Sequence, residues 1–283
     1  MSRVLLVALL CMGLTACPGT AIESAAKRYA EGLTDSILDH DDPQTVRDAL
    51  PAYLLALDGA VASAPDNVPV VAAAARIYAL YASSFAGHPE RQKRLADRSK
   101  RYALQALSHG LDDLHDVVGE SLEDYVDELE DVDEEDFGLL YAFATAWTVW
   151  LQANVEDWNA IADLPKIEAT LRHIVTAVPD YDDGNPHMML GVLTAQIPPS
   201  LGGKPEVAQT YFQNAIKLSD NKNLQAKVYY AQYYARLVFD QELHDRLLRE
   251  ALKADPKAHG FTLSNILAQD QAVDLLVGSQ DYF

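Results

Sequence analysis

Apolar residues recur at three- and four-residue spacing through nearly the whole chain, and most glycines and prolines fall between those stretches. Such a chain is bound to helices. Asp42-Pro43 reads as an N-cap followed by a proline at the first helical position. The helix it opens runs through Leu50, Tyr53, Leu54 and Leu57 and breaks at Pro65-Asp66-Asn67. Val68 to Phe85 is a second, alanine-rich helix, in which Ala72 to Ala75 admit a close neighbour. Gly87-His88-Pro89 ends it, and a third helix follows from Glu90 to about Ser108. No run alternates as a strand does, so the expected fold is all-α.

The second half has the rhythm of stacked antiparallel helix pairs. Met188 to Gly191 opens one helix, and Ala208, Phe212 and Ala215 share one face of the next, a small-large-small pattern like that of tetratricopeptide (TPR) repeats. Val228 to Phe239 and Leu247 to Leu252 repeat it, and residues 91–107 carry a weaker version. The period is irregular, and the loop Pro198 to Pro205 exceeds a TPR turn, so the repeats are degenerate. Leu263, Ile266, Leu267, Val273, Leu276 and Val277 form a last amphipathic helix, expected to cap the stack.

The N-terminus has a short positive start, an apolar run from Val4 to Leu14, and then Leu14-Thr15-Ala16-Cys17. That run is too short to span a bilayer permanently and reads as an export signal covering residues 1–16. A small residue before a cysteine at this point is a lipobox, with Cys17 the expected lipidation site; an ordinary signal peptide leaving a free thiol is the alternative. Residues 17–22 would be the lipidated tether and 23–283 the helical domain. Several acyl chains anchor firmly, since each buried CH₂ contributes roughly 0.8 kcal/mol. The only other cysteine is Cys11, inside the signal, so the mature domain has no disulfide, thiol nucleophile or thiolate metal site. Against 22 Lys+Arg stand 42 Asp+Glu. Nucleic acid is excluded as a partner by that charge, and acyl chains rather than headgroup attraction would hold the body at the membrane.

Catalytic patterns are missing: there is no His-Glu-x-x-His, no Gly-x-Ser-x-Gly and no phosphate-binding glycine loop. No cofactor or metal is expected. Phe137 to Val155 has no charged residue; with acidic flanks and no cationic anchor it reads as a buried helix, or one lining a ligand cavity, before a membrane span. Asp112 to Asp136 holds fourteen carboxylates and no Lys or Arg. A calcium loop begun at Asp131 would need glycine where Asp136 stands and Glu where Ala142 stands. The segment therefore reads as a solvated, partly mobile helical flap, or a docking surface for a basic partner. Arg91, Arg94, Arg98 and Arg101 fall within roughly 80° on one side of the third helix at 100° per residue. This stripe pairs with the acidic segment, is solvated, or meets an acidic partner. Tyr229, Tyr230, Tyr233 and Tyr234 form a ridge that serves core packing or recognition, with Tyr229 and Tyr233 as partner-surface candidates.

Beyond these patterns, Asp42-Pro43, Leu50-Pro51-Ala52-Tyr53-Leu54-Leu55, Asp58-Gly59, the run Asp157 to Pro165, Pro198-Pro199-Ser200-Leu201-Gly202-Gly203, Tyr233 to Leu237, His244 to Leu248 and Asp281-Tyr282-Phe283 resemble the TatT family, the T components of TRAP transporters. The resemblance implies a periplasmic lipoprotein of TPR-like helices, held to the bilayer through Cys17, that forms a homotrimer. It further implies association with a substrate-binding P protein and passage of a small organic or apolar ligand toward the membrane permease. Candidate ligand or pore residues are Trp147, Trp150, Trp158, Asp157 and Asn159, since indole faces suit an apolar ligand and the two polar groups suit its polar end. A periplasmic TPR lipoprotein scaffold for envelope proteins is the competing reading. Pro18 follows Cys17, and the destination membrane, inner or outer, stays open.

Overall fold

The computed structural model describes residues 32–196 and 203–283. The signal segment, Cys17, the tether, the first residues of the helical domain and most of the Pro198–Pro205 loop lie outside the described residues. The fold is all-α, and no strand forms among the described residues. After a short helical stretch at residues 32–38, the chain forms α1 (Pro43–Ser63), α2 (Val68–Phe85), α3 (Pro89–Gly110), α4 (Asp112–Asp116), α5 (Leu122–Leu129), α6 (Phe137–Ala153), α7 (Trp158–Ala162) and α8 (Leu164–Ala177). The second half adds α9 (Asn185–Ala195), α10 (Pro205–Leu218), α11 (Leu224–Tyr229, continued as a π-helical turn over Tyr230–Ala235), α12 (Gln241–Lys253), α13 (Thr262–Val277) and α14 (Ser279–Tyr282).

Local chemistry fixes the ends. Asp42 accepts the Gln44 N–H at 3.0 Å with Pro43 in the first turn, and Asn67 accepts the Val70 N–H at 3.2 Å. One proline departs from the expected punctuation: Pro51 lies inside α1. Lacking an N–H, it cannot close the helical bond to the Arg47 carbonyl.

Consecutive helices pack on one another, and α6 sits at the centre of the first half against α2, α3 and α8. Its uncharged sequence is buried through Leu140, Phe143, Ala146, Trp147 and Leu151. Among the described residues the helix long and apolar enough to cross a membrane is instead α2, yet it is a core helix with Val71, Ala74 and Ala75 wholly buried. In the second half a Cβ on Gly191 would lie 3.0 Å from the Phe212 ring, so α9 and α10 approach closely because that position has no side chain.

Two expectations change. The acidic segment is pinned rather than a loose flap. Leu114, Tyr125, Leu129 and Val132 enter the core shared with α6 and α8. The Tyr125 hydroxyl lies 2.7 Å from Thr170 Oγ1, and Lys166 Nζ donates to the Val118 carbonyl at 2.8 Å and to that of Glu120. Its carboxylates stay outside. The last long helix, α13, does more than cap the end: it packs on α11 and α12 and also returns to α1, where Leu263 joins the α1–α2 core.

That return is clamped at the surface. Asp39 accepts from His259 Nδ1 and from the Gly260 N–H, both at 2.6 Å, and Lys257 donates to Asp41 at 2.7 Å. The hydrogen bond to Asp39 and then its charge raise the His259 pKa. Burial raises that of Asp39, but the His259 bond and the Gly260 N–H outweigh it and leave it lowered. The His259 contribution is complete below the ordinary imidazole value and is lost as pH rises through the raised one. The Asp39 contribution is complete above the ordinary carboxylate value and is lost as pH falls through the lowered one. The clamp is thus strongest between about pH 4 and 6.5. An NMR titration should place the His259 midpoint above the ordinary imidazole value in the wild type and return it toward that value in Asp39→Asn.

Candidate functional site: an arginine groove on the outer face of the first three helices

The sequence of α3 is divided lengthwise. Ala96, Ser99, Ala103 and Ala106 are buried against α2 and α6, and Ser99 Oγ donates to the Ala75 carbonyl at 2.7 Å. Small residues bring the backbones together, so the long arginines at 91, 94, 98 and 101 are left on the outer edge. There they line a groove of about 540 Å³, with Pro51, Leu54 and Leu55 of α1 and Tyr78 of α2 as the apolar wall. A second groove of about 570 Å³ continues past Arg91 to Arg47, Tyr81, Phe85 and His88. The volumes fall in the range of ordinary binding clefts.

Behind the groove, a polar cluster holds one arginine in place. Asp58 on α1 accepts from Tyr78 (2.9 Å), Tyr102 (2.7 Å) and Arg98 (2.8 Å). Burial first, then the bond to Asp58, push the Tyr102 hydroxyl up to about 12. The bond to Tyr78 heads the causes that raise Arg98. Arg91 is fixed as well: its guanidinium donates to the Ala86 carbonyl at 3.2 Å and to the Tyr81 hydroxyl at 3.2 Å, and lies 4.8 Å from the Tyr81 ring centre. Arg94 and Arg101 differ. Both are exposed and make no ion pair or hydrogen bond among the described residues. None of the four arginines pairs with a carboxylate of the acidic segment, so the expected internal pairing of the two is corrected. The segment leaves the far end of α3, about 24 Å along the axis from Arg94 at 1.5 Å per residue.

The tryptophan region is arranged differently. Trp147 is wholly buried, and its Nε1 donates to Asp163 at 2.9 Å. Trp150 donates to Asp97 at 2.8 Å. Lys100 Nζ sits 3.4 Å from the centre of the Trp150 ring and 5.3 Å from that of Trp147, and pairs with Asp163 at 3.2 Å. Burial lowers the Lys100 pKa in spite of Asp163. Trp158, by contrast, is 83% exposed. Asp157 is the N-cap of α7, accepting the Asn159 N–H at 2.9 Å. None of these five residues lines either groove.

The tyrosine ridge divides in two. Tyr230 stacks on Phe212 with centroids 5.4 Å apart and meets Tyr234, while Tyr229 meets Tyr233 edge-on at 5.5 Å. Tyr229 and Tyr233 are half-buried against the core of the second half. No group of three His, Cys, Asp or Glu residues suited to a metal occurs among the described residues.

Sequence reasoning missed Asp58, Tyr78, Tyr102, Lys100 and Asp163 as members of sites. For Asp58 a signal exists: it is a lone carboxylate beside Leu57, one turn after Leu54, on the helix face that also buries Leu50 and Val61. Removing it strands two hydroxyls and loosens Arg98. Asp58→Ala should cost about 1–3 kcal/mol in unfolding free energy, read by urea denaturation, with Asp58→Asn losing less.

A family model described as TRAP transporter T-component matches residues 39–283, which takes in every helix from α1 to α14 and the whole arginine groove. No curated relative matches the chain. The chain belongs to the TRAP transporter T-component family.

Proposed function

We propose that the chain is the non-enzymatic accessory subunit of a TRAP transport system. In this reading it is anchored in the periplasm through lipid on Cys17, forms a homotrimer and pairs with a substrate-binding P protein. A small organic or apolar ligand then passes toward the membrane permease, which does the energy-dependent work. The observation that carries the reading is the family match over residues 39–283. The surface chemistry supports it, because a cationic groove on an acidic body favours association with proteins of complementary charge.

Within this proposal the two buried-side tryptophans have structural roles. The N–H groups of Trp147 and Trp150 are taken by Asp163 and Asp97, and Lys100 covers the Trp150 face. Trp158, with Asp157 and Asn159 beside it, is the member of that region free to meet a ligand or the P protein, since an exposed indole is a common centre of binding energy.

Light scattering on the full-length chain in detergent, alone and with a substrate-binding P protein of the same TRAP system, tests the reading. The expected result is a protein mass three times that of one chain, rising further on mixing. A single-chain mass that ignores the P protein would overturn it in favour of an envelope scaffold.

A further inference from the structure

The carboxylates of residues 112–136 and the arginine groove have complementary charge and matching pitch, and Arg94 and Arg101 of the groove make no ion pair or hydrogen bond among the described residues. Glu123, Asp127, Glu130 and Asp131 face outward from α5 and the turn after it, opposite the buried Tyr125 and Leu129. On a helix such positions recur about every 5.4 Å. Arg94, Arg98 and Arg101 recur at the same interval along α3. No Lys or Arg pairs with a carboxylate of 112–136 among the described residues; its cationic neighbour Lys166 is spent on backbone carbonyls.

We infer that the groove of one subunit receives the acidic segment of a second copy, so that the subunits join head to tail. Three observations favour a second copy over another occupant. No arginine of the groove meets a carboxylate of the segment within one chain: the segment begins beyond Gly110, about 13 Å along the helix axis from Arg101 and about 24 Å from Arg94. The acidic face is rigid, because Tyr125, Leu129 and Val132 anchor it in the core, so little ordering entropy opposes docking. The groove pairs its cations with an apolar wall that includes Leu55, 71% exposed, and α5 begins with Leu122, 44% exposed.

The balance of charge at the contact is also right. The groups facing the groove are Arg47 and Asp48 from α1, His88 from the turn before α3, and Arg91, Arg94, Asp97, Arg98 and Arg101 from α3; α2 contributes only uncharged Tyr78, Tyr81, Ser84 and Phe85. Asp97 accepts from Trp150 but keeps its charge, and Asp58 behind the groove pairs with Arg98, so five arginines stand against three carboxylates. A net positive groove in a strongly negative chain attracts another copy there and repels it elsewhere, which sets register as well as affinity. A contact of unlike surfaces closes into a ring when its rotation allows. This inference rests on the homotrimer of the proposed function and names the surfaces that build it.

Charge reversal in the full-length chain tests it by light scattering in detergent. Arg94→Glu with Arg101→Glu, and separately Asp127→Arg with Asp131→Arg, should each weaken self-association on the order of tenfold or more. All four substitutions in one chain should restore it, because every contact is re-formed with reversed polarity. Lys217→Glu with Lys253→Glu, two exposed lysines in the second half, matches the charge change of the arginine pair and should leave assembly unchanged. Assembly indifferent to the arginine pair overturns the inference, as does equal weakening by the lysine pair or failure of the fourfold variant to recover. A wild-type chain that is a monomer overturns it too. If that monomer still gains mass with the P protein, the transport role stands while the self-docking falls.

Discussion

The close approach of α2 and α3 is the constraint from which the site follows. Ala75 and Ala79 on one helix face Ala96, Ser99 and Ala103 on the other, near enough for Ser99 to bond the Ala75 carbonyl. An interface of alanines leaves no room for long side chains, so α3 carries all its arginines on the edge away from α6. Asp58 reaches the same edge from α1 and ties Tyr78, Tyr102 and Arg98 together. One packing decision thus makes the core, orients the cations and forms the groove.

Charge is distributed with the same economy. Cations that could have neutralised the acidic surface are used inside: Lys166 satisfies carbonyls of the acidic segment, and Lys100 lies on Trp150 with Asp163 beside it. On the first half of the molecule the acidic segment follows the C-terminal end of α3, while Arg94 and Arg101 stand unpaired along its outer edge. Surface ion pairs add little to folding, typically about 0–1 kcal/mol each, so leaving them unmade inside the chain costs the fold little and leaves both surfaces free for association.

Helix positions were legible because periodicity and caps are local. Asp42-Pro43 and Gly87-His88-Pro89 mark helix boundaries where the chain turns, and the uncharged stretch from Phe137 reads as buried and is buried. The arginine stripe was legible as a stripe, since its geometry depends on one helix alone. The Asp58 cluster was not, because it joins α1, α2 and α3, and helix crossing cannot be read from spacing within each. The helix through Pro51 was legible all the same, because Leu50, Tyr53, Leu54 and Leu57 keep one apolar face across a proline that local rules alone treat as a stop. Fourteen carboxylates between residues 112 and 136 speak of solvent, and only the four apolar anchors at 114, 125, 129 and 132, read at their spacing, point to a docked segment.

Association in place of chemistry is the central claim of this account, and the groove is where it is most exposed to test. Chains bearing both Arg94→Cys and Asp127→Cys, treated with a short thiol-reactive bismaleimide and run on a denaturing gel, report directly on whether the two surfaces meet between copies. The account predicts a ladder that ends at three chains and vanishes when either substitution is omitted. A single-chain band alone, or the same ladder from either single variant, would contradict it.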